Sequence, residues 1–215
     1  MEGRPVQETD LWPMHAQMVQ VMILSPGGAD FQHLNASSNG KPGCFSAAFT
    51  PAFAGSYRVH VGVTPAATGL PEYPFVGLDV EGSHSPPPQE HSALMTVDSG
   101  GFRFSLNVMG QMGNQLHSGQ MQALRLKVTD SSGMPVTRLE PVHQAFAHLY
   151  GVLVNSGSIL QLHPTGGDIL REDVRGGPAF VFKIYSPEAG PLQLYAQVRI
   201  DGKDIMVPLR AVIQP

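Results

Sequence analysis

Apolar and polar residues alternate with period two in short runs along this chain, as in FRFSLNV at 102–108 and QALRLKVT at 122–129. That period places alternate side chains on opposite faces of a strand, whereas the three-to-four spacing of an amphipathic helix is nearly absent. The pattern predicts strands at 17–24, 43–50, 56–63 and 75–80, then at 102–108, 122–129, 147–154, 159–163, 179–185, 192–200 and 205–212. Glycine (24 residues) and proline (19 residues) punctuate these runs, as tight turns in an all-β chain require. Between the two groups lies EGSHSPPPQEH, residues 81–91, where consecutive prolines have no N–H to give to a sheet ladder and favour an extended spacer. The expected organisation is an N-terminal β domain at 1–82, a Pro-rich linker at 83–94 and a C-terminal β domain at 95–215.

The two domains repeat one another. MVQVMILSPGGADFQHLNA at 18–36 and HLYGVLVNSGSILQLHP at 148–164 each run from apolar strand through a Gly turn to a short strand carrying histidine. Each is followed by a Gly-rich loop, a Phe-bearing run and a closing strand, AGSYRVHVGV in one case and AGPLQLYAQV in the other. The copies are unequal, because the second has two further strands upstream, at 102–108 and 122–129. The first therefore lacks its opening strands, and a sheet without them leaves N–H and C=O groups unpaired and a core face open. Two explanations stand: the native chain is longer, or a partner or second copy of the chain donates the strands.

Composition narrows the function classes. The chain has 215 residues with 42% hydrophobic content, enough for real cores. It carries only 14% charged residues and 13 Lys plus Arg at a net charge of −4, so no basic field is available to hold nucleic acid. No apolar run approaches the roughly 18 residues of a membrane-spanning helix, and the expectation is a soluble chain without membrane insertion. The opening MEGRPVQETDLWPM lacks the basic start and apolar stretch of a secretory signal. Either the protein is cytoplasmic or its export segment is absent from this sequence. Cys44 is the single cysteine, which excludes an internal disulfide and any cysteine-rich zinc or iron–sulfur site.

LEPVHQAFAHLYGVLVNSGSILQLHPTGG at 139–167, followed by GPAFVFKIYSPEAGPLQLYAQVRIDGK, resembles a largely uncharacterised family of exported bacterial tandem β-sandwich proteins with a His-x-His-Pro element. MHAQMVQVMILSPGGADFQHLNA resembles the matching first-domain segment, so the likeness covers most of the chain and its two-domain order. It implies two tandem immunoglobulin-like or cupredoxin-like β-sandwiches and a periplasmic or secreted location. In such a family the His-x-His pair sets two imidazoles on one strand face, where a third from the neighbouring strand could complete a copper or zinc site. Only part of that set is present. His15 and His33 match in the first copy, with Gln20 and Asn35 at the other histidine positions; His148 and His163 match in the second, with Gln161 replacing the first of the pair.

A second constellation, NVMGQMGNQLHSGQMQ, gathers Met109, Met112, His117 and Met121, and soft thioethers select Cu(I). Met14, Met18 and Met22 share parity, so in one continuous strand they would form a stripe on one face, where methionine also serves as core filler. REDVRGG at 171–177 reads as a solvated charged loop. No phosphate loop, nucleophile elbow, Cys-His pair or close carboxylate pair appears, so catalysis is not expected. Two functions remain open: an envelope protein that handles copper through these histidines and methionines, or a structural or interaction module with a degenerated metal site and a first sandwich completed by a partner or by self-association.

Overall fold

A computed structural model describes residues 3–14, 17–87, 93–110, 114–162, 164–166 and 169–215, except for the side chain of Gln161. The chain is nearly all β, 52% strand and 3% helix, and divides into two compact units, Met1–Glu90 and His91–Pro215.

The first unit contains β1 (Gln20–Leu24), β2 (Phe31–Asn35), β3 (Ser37–Ser38), β4 (Phe45–Ser46), β5 (Gly55–Gly62) and β6 (Phe75–Val80). Four of these form an antiparallel sheet in the order β2-β1-β5-β6, and β3 and β4 make a separate two-stranded ribbon. One sheet face carries Val21, Ile23 and Tyr57, which are buried, with Leu34, Ala36, Phe49, Val59 and Val80 packed around them. Asp30 ties a loop across this face: its Oδ2 accepts from the Tyr57 hydroxyl at 3.0 Å and the Ala52 N–H at 3.0 Å. The Tyr57 oxygen in turn accepts the Phe53 N–H at 3.1 Å. Burial raises the Tyr57 phenol pKa above its usual value.

The sequence-predicted strands 17–24 and 43–50 are shorter than expected. The strand at 17–24 begins only at Gln20, so Met14 and Met18 precede it and the continuous Met stripe does not form. In 43–50 the Pro and Gly flanks leave only Phe45–Ser46 paired, against Ser37–Ser38.

The second unit contains β7 (Thr96–Ser99), β8 (Phe102–Val108), β9 (Leu116–His117), β10 (Gln122–Asp130), β11 (Leu139–Glu140), β12 (Ala147–Leu153), β13 (Ile159–Leu162), β14 (Ala179–Ile184), β15 (Gly190–Ile200) and β16 (Lys203–Gln214). They form a four-stranded sheet, β14-β10-β8-β7, and a six-stranded sheet, β13-β12-β15-β16-β9 with β11 on β15. Alternate residues of both sheets meet in one core: Phe104, Leu106, Leu124, Leu126 and Phe182 from the first, and Leu149, Leu194, Val198, Val207 and Leu209 from the second. That is a β-sandwich, built from the alternation visible in the sequence. β15 and β16 are joined at Asp201-Gly202, both with positive φ (52° and 74°), and stay in register from Ile200↔Lys203 to Gly190↔Ile213.

The repeat is also topological. The order β2-β1-β5-β6 in the first unit matches β13-β12-β15-β16 in the second. Met22 pairs His33 as Tyr150 pairs Gln161, and Met22 pairs His60 as Tyr150 pairs Tyr195. The difference lies in what covers the inner face. In the second unit β7, β8, β10 and β14 supply a whole sheet, whereas among the described residues of the first unit no second four-stranded sheet is present.

Candidate functional site

Of the sequence-chosen ligands, His15, His163 and Met112 lie outside the described residues. His148 is in β12, 3% exposed, and its Nε2 lies 2.7 Å from the Val142 carbonyl oxygen. A carbonyl only accepts, so Nε2 must carry the proton and cannot ligate a metal while this bond stands. The ring stacks on Tyr150 (6.1 Å between centroids, 14° between planes) and lies 6.0 Å from the His143 ring. Tyr150 donates its hydroxyl to Gln197 Oε1 at 3.4 Å. This is a buried, hydrogen-bonded polar row.

The described members of the loop constellation are Met109, His117 and Met121. Met109 and Met121 are exposed at 42% and 66%. His117, in β9, donates from Nδ1 to the Pro215 carbonyl at 3.3 Å. Among the described residues, no group of three or more His, Cys, Asp or Glu side chains is placed to hold a metal ion. The charged loop at 171–173 is exposed as expected, with Arg171 and Asp173 paired to each other.

The first unit is different. Gln20, Met22, His33, Asn35, His60 and Phe75 share one face, because Gln20 pairs Asn35, Met22 pairs both His33 and His60, and His60 pairs Phe75. Residues directly opposite on neighbouring strands have Cβ atoms about 4.5–5.5 Å apart, so His33, Met22, His60 and Phe75 form a continuous row across four strands. Met22 is 0% and His60 1% exposed. His33 Nε2 is 3.3 Å from Gln20 Oε1, and the Gln20 amide N donates to the Met14 carbonyl at 3.1 Å. Met14 also reaches this face: a Cβ at Gly62 would meet its Cε at 3.5 Å, and its sulfur accepts the Tyr73 hydroxyl at 4.0 Å. Burial raises the Tyr73 phenol to about 12.

Among the described residues, neither ring nitrogen of His60 has a hydrogen-bond partner. The ring packs on Phe75 with centroids 5.2 Å apart, and Arg58 lies over the same phenyl ring at 5.7 Å. Burial pushes the His60 pKa below the ordinary 6.5, the charge of Arg58 adds to this, and the Tyr73 backbone opposes it without reaching hydrogen-bond geometry. The folded state therefore holds a neutral imidazole where the unfolded chain takes up a proton. Stability is full above pH 6.5, falls as pH drops through it, and levels off below the depressed folded value. Urea midpoints measured from pH 8 to pH 5 are expected to fall on acidification, with a shallower slope in His60→Phe. An equal slope in both proteins would remove His60 as the cause.

Sequence reading passed over His60 because it sits inside YRVHVGV, an ordinary alternating strand. Its parity within that strand was a usable signal, but its row neighbours at 22 and 33 are set only by register.

A family profile described as a domain of unknown function, DUF8832, matches residues 97–214, more than half of the chain. The chain belongs to the DUF8832 family. The matched span of this DUF8832 protein lies in its second unit and does not include His33, Met22 or His60. No curated protein matches the DUF8832 chain at a significant level. Among solved structures, the Lin-41 filamin domain is similar at TM-score 0.31 and 12% identity, over 51% of this chain and 91% of that one. Domains 4 and 5 of the S-layer protein SbsC give 0.29 and 12%, over 77% and 69%. A β-glucuronidase of Parabacteroides merdae gives 0.23 and 9%, over 90% of this chain and 20% of that one. At these scores nothing about function transfers to the DUF8832 protein.

Proposed function

We propose that this chain is a non-enzymatic interaction module whose first unit binds a β-strand or β-hairpin from a protein partner or a second copy. The observation that carries the reading is the uneven repeat: two sheets of matching order, of which, among the described residues, only the second has a covering sheet. On the incompletely covered first-unit face, Val76 and Leu78 of edge strand β6 are 62% and 39% exposed, and Val59, Val61 and Val80 are only half-buried. Among the described residues nothing pairs the outer edge of β6. An apolar edge strand beside an incompletely covered apolar face is the geometry that accepts an added strand through backbone hydrogen bonds and alternate side-chain pockets. The repeat supports the occupant's chemistry: alternating apolar strands like β8 and β10. An envelope location, periplasmic or secreted, belongs to the same proposal and rests on the resemblance to exported tandem sandwiches with a His-x-His-Pro element.

The test is titration of the full chain with a synthetic hairpin carrying residues 102–130, read by amide hydrogen exchange. Saturable binding that protects the Phe75–Val80 amides, and that is lost in Val76→Asp/Leu78→Lys, is the expected result. Amides that stay unprotected both with the hairpin and at high protein concentration would refute it.

A further inference from the structure

The His33, Met22 and His60 row has a chemistry that packing alone does not explain. A buried imidazole with both nitrogens unpartnered forfeits the hydrogen bonds that water gave it in the unfolded chain, and a phenylalanine would fill that space without the loss. The strand directly beside His60 presents the Met22 thioether, fully buried, and His33 flanks that thioether from the other side. Two imidazoles about a central thioether form a mixed nitrogen and sulfur donor set. Thioether is soft and selects monovalent copper, while imidazole suits copper in either state. Met14, lying over Gly62 on the same face, sets a second thioether beside the row.

We propose that the first unit binds one Cu(I) ion through His60, Met22 and His33, with Met14 as a further thioether donor. The ion replaces the missing hydrogen-bond partner of His60. At His33 it displaces the 3.3 Å contact of Nε2 to Gln20 Oε1, long for an N–H···O bond. No electron transfer is involved: Cu(I) is taken up and released in one oxidation state. His33 is partly exposed, whereas His60 and Met22 are not, so the ion reaches the row from the His33 side. The site differs from the Met109, His117 and Met121 segment and from His148. It does not rest on strand addition, since the added strand would use the opposite face of the same sheet.

Anaerobic competition of the full chain against a chromophoric Cu(I) chelator tests the proposal, with Met22→Leu and His60→Phe as volume-conserving variants and His117→Ala/Met121→Ala as a control. One Cu(I) bound per chain, weakened at least about 100-fold in each row variant and unchanged in the control, is expected; far-UV circular dichroism reports folding. Failure of the wild type to compete, retention of binding in both row variants, or Zn(II) binding of equal strength would overturn it. If the variants fail to fold, Ag(I) titration of the wild type decides. Shifts of the His60 ring and Met22 methyl resonances support the site, and unmoved resonances sink it.

Discussion

Tyr57→Ala is expected to unfold the first unit. Tyr57 is the largest of the three buried residues in that unit's inner cluster, beside Val21 and Ile23. Truncating a buried aromatic to alanine costs about 3–5 kcal/mol in lost transfer energy and cavity. A core of this size, with no second four-stranded sheet across from it among the described residues, has little stability to spare. The hydroxyl adds to the loss, since Asp30 Oδ2 and the Phe53 N–H would each forfeit a partner. Tyr57→Phe separates the contributions and should cost about 1–2 kcal/mol, the penalty for groups left one bond short. Hydrogen exchange on Gln20–Leu24 and Gly55–Gly62 is the measurement: near-complete loss of protection in the alanine variant and partial loss in the phenylalanine variant. Protection unchanged in Tyr57→Ala would mean that contacts outside this cluster hold the sheet.

Gly177→Ala is expected to be the most damaging small substitution in the second unit. A Cβ there would overlap the Val136 carbonyl oxygen and approach Leu139 Cδ1 at 2.9 Å, and the residue sits at φ +115°. Backbone cannot yield as a side-chain tip can, so conformational strain and collision add to about 3 kcal/mol or more. Gly133→Ala isolates the strain, because Gly133 also has a positive φ (+85°) but open space around it, and should cost only about 1 kcal/mol. Thermal unfolding should place the Gly177 variant on the order of 10 °C below wild type and the Gly133 variant only a few degrees below. Equal shifts would show that the loop around Val136 can move aside.

The strands that were legible in the sequence are those whose alternation reflects one buried face. FRFSLNV became β8 with Phe104, Leu106 and Val108 buried, and QALRLKVT became most of β10. The repeat was legible too, and it carried the sheet order with it. β7, β9 and β11 were missed because strands of two to four residues show too little of any period; β9 and β11 also take their pairing from the distant β16 and β15, whereas β7 pairs with the adjacent β8. The 43–50 run shows the opposite failure: Phe45 and Phe49 read as a strand, yet Phe49 serves as a packing residue against Tyr57, with ring centroids 6.1 Å apart. At the candidate site, residue type identified imidazoles but could not say which ones already had partners. His148 looked like a ligand and is bonded to a carbonyl, while His60 looked like strand and has both nitrogens bare. Only register, which joins residues 22, 33 and 60, could distinguish them.

The β15–β16 hairpin has a kinetic consequence. Its two-residue loop carries positive φ at both positions, the geometry that matches the right-handed twist of flanking strands, so little chain must be ordered before the first pairs close. From there each further pair adds next to one already made, out to Gly190↔Ile213. β12, by contrast, must close a loop of nearly forty residues to reach β15, from Leu153 to Leu192 at the near end of the pairing. Local pairing of this kind forms in microseconds, ahead of sheet closure across long loops. The hairpin thus provides the template on which the rest of the six-stranded sheet assembles, although its two strands come last in the order β7 to β16.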